Sequence, residues 1–146
     1  MIDWARLRLS WGPRMLSILR IMMGLLFLQH GSAKIFNFPE VANHRPYVLL
    51  TLSPGLAGIL ELIGGSLLAL GLFTRPVAFL LSGEMAFAYF MRHAPRGFFP
   101  QANGGTLAIV YCFVFLYFFV AGAGVWSLDQ LRSSEPAARF AARRSA

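Results

Sequence analysis

Residues 54–91 read PGLAGILELIGGSLLALGLFTRPVAFLLSGEMAFAYFM. Two apolar runs, about 54–73 and 77–91, are parted only by Thr74-Arg75-Pro76, and Pro54 suits a first helical turn. Each run approaches the roughly 20 residues of a membrane-spanning helix, and so short a connection predicts an antiparallel hairpin. Working outward, a third apolar run covers about 15–36 and a fourth about 104–121, opened by Gly104-Gly105 and ended by Gly122-Ala123-Gly124. Residues 37–53 carry Pro39, Asn43, His44 and Pro46 and read as a loop, with Tyr47-Val48-Leu49-Leu50 expected as a short interfacial helix. Residues 92–103 form a polar connection with two prolines and Arg96. The first run resembles a secretory signal, but Arg20 and His30 break the short apolar region that cleavage needs, so a retained helix is expected.

Composition supports the same reading. Of 146 residues, 57% are hydrophobic and only 13% charged, about half the charge of an average soluble domain. Too few polar residues remain to coat a soluble globule, and the composition excludes disorder and coiled coil. The net charge of +7 comes from 13 Lys and Arg against 6 acids. Arg6, Arg8 and Arg14 precede the first run and Arg132, Arg139, Arg143 and Arg144 follow the last. These flanking positions suit membrane headgroups, and no basic–aromatic interleaving points to nucleic acid. Four crossings put both termini on one side, together with Arg75, against Arg45, Arg92 and Arg96 opposite. The basic bias predicts cytoplasmic termini.

The expected architecture is therefore an all-α bundle of four transmembrane helices in one domain, 1–132, followed by a flexible basic tail over 133–146. Trp126-Ser127-Leu128-Asp129 places a tryptophan where an interfacial anchor belongs. The halves share no spaced motif, so an inverted repeat finds no support.

The informative side chains are the ionisable ones inside the runs: Arg20, His30 and Lys34, then Glu61, then Glu84. A charge at the bilayer centre costs roughly 2.5–3.5 kcal/mol on a translocon scale, so these groups must pair or face a wet cavity. At 100° per residue Arg20, Gly24, Phe27, Gly31 and Lys34 lie within about 40° of one line, which turns the polar stripe and its small residues into the bundle. Gly64 and Gly65 follow Glu61, and Ala78, Ser82 and Ala86 repeat at four, marking further close-packing stripes. Counting depth from the helix ends suggests a His30, Lys34 and Glu61 cluster and a separate Arg20–Glu84 pair. Such groups either set helix register or handle a ligand or proton. The lone Cys112 excludes an intramolecular disulfide, and one His with one carboxylate falls short of a metal-ligand set, so no metal site is expected. No Ser-His-Asp set, GxGxxG, P-loop or HExxH occurs, so catalysis by this chain alone is not expected.

Arg20 and Gly24 with His30-Gly31 and Lys34-Ile35-Phe36, then Glu61-Leu62-Ile63-Gly64-Gly65, Leu70-Gly71-Leu72-Phe73-Thr74-Arg75, Asn103-Gly104-Gly105 and Gly122-x-Gly124-x-Trp126-Ser127-Leu128-Asp129 resemble, in order, the motifs of the DoxX family. The likeness spans about 15–130. Thr106 stands where that family commonly carries an acidic residue. The resemblance implies a multi-pass bacterial inner-membrane protein, acting as a membrane subunit or anchor for a redox partner of the thiosulfate:quinone or oxidative-stress kind, with a quinone bound nearby or on that partner. The competing reading is a small-solute or proton transport module, expected as a homo-oligomer, that uses the same polar cluster.

Overall fold

The computed structural model describes residues 3–40, 48 and 51–133, and among these the chain is all helical, without a strand. Helix α1 runs Trp4–Phe36, eleven residues earlier than the apolar run alone predicts. The Asp3 side chain makes that early start possible by accepting from the backbone N–H of Ala5 and Arg6, both at 3.1 Å. Pro13 lies inside the helix, where Ser17 Oγ donates to its carbonyl at 3.0 Å. Asn37 ends the helix in the left-handed region, φ 53°, returning its N–H to Ala33.

A π-helical turn, Leu52–Leu56, leads into α2, Ala57–Leu70, which stops at Gly71, φ 69°. Thr74-Arg75-Pro76, expected as the connection, is instead the first turn of α3, Thr74–Ala88; the bend is made by residues 71–73. A second π turn, Tyr89–His93, and a 3₁₀ turn, Ala94–Arg96, extend α3. The short α4, Pro100–Asn103, occupies part of the predicted loop, and α5, Thr106–Ala121, begins two residues after the expected 104. Residues 128–133 form a last helical stretch. Apart from Val48, the expected interfacial helix at 47–50 lies outside the described residues, as do the tail from 134, His44, Arg45, Arg139, Arg143 and Arg144.

Helix α1 packs on α2, α3 on α5, and α2 joins the two pairs. Glycine sets the first contact. A Cβ on Gly24 would sit 2.5 Å from Ala69 N, one on Gly65 2.5 Å from Leu28 N, and one on Gly31 would strike the backbone of Leu62. These positions let two backbones approach as side-chain-bearing residues cannot. Gly64 faces the other way, where its Cβ would meet Leu81 of α3 at 2.8 Å. Ala78 and Ser82 are buried on α3, and Ser82 Oγ donates to Cys112 O at 2.9 Å, tying α3 to α5. Phe27, Leu68, Leu81, Phe115 and Phe118 form the core between the pairs, with the rings of Phe27 and Phe115 edge to face at 4.9 Å. The outer faces carry exposed Leu25, Ile63, Phe79, Phe87, Phe113 and Val120.

Candidate functional site

The five ionisable residues separate to opposite ends of the bundle. Arg20 is fully buried and lies beside the α2–α3 bend. Its guanidinium donates to four backbone carbonyls: Leu68 and Ala69 (3.0 Å) at the end of α2, and Ala123 (2.8 Å) and Trp126 (2.5 Å) beyond α5. The expected Arg20–Glu84 pair is therefore not formed. The last carbonyls of a helix lack intrahelical partners and carry its negative dipole end, so they satisfy a guanidinium without a carboxylate. The planar fork with five donors matches this set.

The same end holds two ties that the sequence reading did not single out. Asp129 accepts from Phe73 N (2.9 Å) and Thr74 N (2.8 Å), capping α3 from 55 residues away. Burial works to raise its carboxyl, but the backbone donors of Thr74 and Phe73 and the charge of Arg132 outweigh that and hold it below the ordinary carboxylate value. Arg75 donates to Phe119 O and Val120 O, the closing carbonyls of α5. The acid of Trp126-Ser127-Leu128-Asp129 and the Arg of the Thr-Arg turn were the available signals. A cavity of about 940 Å³ lies here, but its Arg75 and Asp129 are already committed to these bonds.

At the other end Lys34 Nζ sits 2.5 Å from Glu61 Oε1, an ion pair joining α1 to α2. Glu61 is only 3% exposed, and its second oxygen, Oε2, is buried without a hydrogen-bond partner. Glu84, on α3, has both carboxylate oxygens buried and unpartnered, within electrostatic reach of Glu61 and Lys34. His30 joins by ring contacts and by its electrostatic proximity to Lys34: exposed, it stands edge-on to Tyr111 at 5.8 Å and to Phe27 at 6.5 Å, and makes no hydrogen bond to Glu61. Lys34, Glu61 and Glu84 line one cavity of about 830 Å³, whose wall is otherwise largely apolar, including Leu60, Leu80 and Met91. Arg92, His93 and Arg96, at the end of α3, line the same cavity. His93 is engaged through Nδ1 with Asn103 O at 3.1 Å, whereas Arg92 and Arg96 are exposed. Such a site can hold a molecule with an apolar body and a hydrogen-bonding head.

Helices with apolar outer faces around buried charges, with α1 long and apolar enough to cross a bilayer, are the features of a helical membrane protein. This chain belongs to the DoxX family, whose model matches residues 15–94. An "uncharacterized protein" of Haemophilus influenzae is 47% identical over 129 residues, covering 82% of this chain and 92% of the relative. An "uncharacterized membrane protein" of Mycobacterium tuberculosis is 28% identical over 151 aligned positions, covering 93% and 92% of the two chains. No solved structure matches.

Proposed function

We propose that this chain crosses the bacterial inner membrane four times, with cytoplasmic termini, and serves as a membrane subunit or anchor for a quinone-linked or oxidative-stress redox partner. The observation that carries the subunit reading is α1. Its 33 residues span about 50 Å at 1.5 Å per residue, against a hydrocarbon core of roughly 30 Å. The first turns therefore extend past the core. There Trp4, Leu7, Trp11 and Met15, spaced three and four apart on one face, are all exposed, and Arg6, Arg8 and Arg14 flank them. A stripe of aromatic and apolar residues ringed by arginine is the composition of a protein contact site. A photocrosslinking residue at position 11, in protein purified natively in mild detergent, should capture an oxidoreductase, and adding Trp4→Ser with Leu7→Ser should abolish capture. Failure to co-isolate an oxidoreductase, or a deletion strain with unchanged sulfur and peroxide phenotypes, overturns this reading.

A second reading, a proton or small-solute module acting as an oligomer, rests on the three unpartnered carboxylate oxygens of Glu61 and Glu84. Proteoliposomes should then show flux that Glu61→Gln or Lys34→Met stops. Flux absent from the wild type, or intact in both variants, refutes it.

A further inference from the structure

The cavity between α2 and α3 presents two opposite chemistries in separate places. Inside, Glu61 Oε2 and both oxygens of Glu84 are buried acceptors without donors, and the neighbouring cation, Lys34, is already held by Glu61 Oε1. Nearer the end of α3, Arg92 and Arg96 are exposed and bring two positive charges to the same cavity. The same cavity has an apolar wall that includes Leu56, Leu60, Leu80 and Phe87.

We propose that the cavity binds an aminophospholipid whose primary ammonium group is seated on Glu84 and Glu61 and whose phosphate faces Arg92 and Arg96. A primary ammonium has three N–H donors and one positive charge. The inner group offers three unfilled carboxylate oxygens, and a cation seated against them favours the ionised form of Glu84. A guanidinium fork suits phosphate oxygens, so two of them fit the adjacent anionic group of the same headgroup. The acyl chains lie along the apolar wall, as in other cavities with a few convergent polar groups. A quaternary ammonium headgroup keeps the charge but has no N–H to give. A phosphoglycerol headgroup keeps the phosphate but lacks the cation. The first would leave the acceptors buried and unsatisfied, and the second offers them hydroxyl donors but no positive charge.

The inference goes beyond the subunit reading but rests on the chain being embedded in a bilayer. Its test uses the full-length protein in vesicles containing equal parts of phosphatidylethanolamine, phosphatidylcholine and phosphatidylglycerol with identical chains, followed by native mass spectrometry of retained lipid. The expected result is retention of phosphatidylethanolamine over each of the others by about tenfold or more, the preference one hydrogen bond to a charged group supports. Glu84→Gln should remove the preference, and Leu80→Trp, which fills the apolar wall without touching the polar groups, should lower retention of all three. Equal retention of phosphatidylethanolamine and phosphatidylcholine by the wild type, which needs no variant, overturns the proposal, as does preference for phosphatidylglycerol. Flotation reports the bilayer premise separately: protein that floats with vesicles without discriminating overturns the headgroup assignment alone, and protein that does not float overturns both.

Discussion

Arg20 Nη2 donates to the carbonyl of Trp126 at 2.5 Å, across 106 residues of sequence. That one side chain joins the middle of α1, the end of α2 and the segment beyond α5. Ser17 adds to the same junction by accepting from Trp126 N at 3.1 Å. The chain after the last long helix is thus sewn back onto the first.

Arg20→Met should destabilise the protein by about 3 kcal/mol or more, because several carbonyls lose a charged donor in a place water does not reach. Arg20→Lys should recover only part of this, since a lysine ammonium lacks the fork that reaches carbonyls on two sides. Thermal unfolding in detergent measures both. A lysine variant as stable as the wild type would show that charge alone suffices.

Gly24→Ala should cost about 1–3 kcal/mol by forcing α1 away from Ala69. Gly83→Ala, at a glycine with nothing within 4 Å of its Cβ, should leave stability unchanged or slightly raised. Side-by-side denaturant titrations distinguish them, and equal effects would remove the case for close α1–α2 contact.

Lys34→Met strands a buried Glu61 carboxylate and should cost about 3–5 kcal/mol, whereas Lys34→Met combined with Glu61→Leu should recover most of it. A double-mutant cycle reads the coupling directly. Coupling near zero would mean that the pair does not hold α1 to α2.

Asp129 sets one acid limit. Its carboxyl titrates lower in the folded protein than in the unfolded chain, so its stabilisation is fully present above the unfolded value of about 3.9 and is lost as pH falls through the folded value. Asp129→Ala should lower stability at pH 7 by about 1 kcal/mol, the worth of a helix cap, and flatten the pH dependence of unfolding below about pH 4. An unchanged acid profile would place that dependence elsewhere.

The all-helical character and the family were legible in the order of apolar runs, glycines and turn residues, because hydropathy and backbone preference act locally. Helical spacing puts Gly24 and Gly31 on one face of α1, but it does not say which glycine of α2 meets that face: Gly65 does, and Gly64 turns to Leu81 of α3. The early start of α1 was hidden because Asp3 caps a stretch too basic to look like part of an apolar run.

Partner choice among the charges was not legible. By itself the sequence determined that Arg20, Lys34, Glu61 and Glu84 had to be sheltered together or satisfied by neighbours, because unscreened charge in an apolar surround is too costly. Only the tertiary structure decided that Arg20 is satisfied by the carbonyl ends of helices and that Glu84 is left facing a cavity with its acceptors unfilled. The physical reason is that backbone carbonyls compete with carboxylates for a guanidinium. Which one wins depends on where helices stop and how the chain folds back, and neither is written in residue spacing.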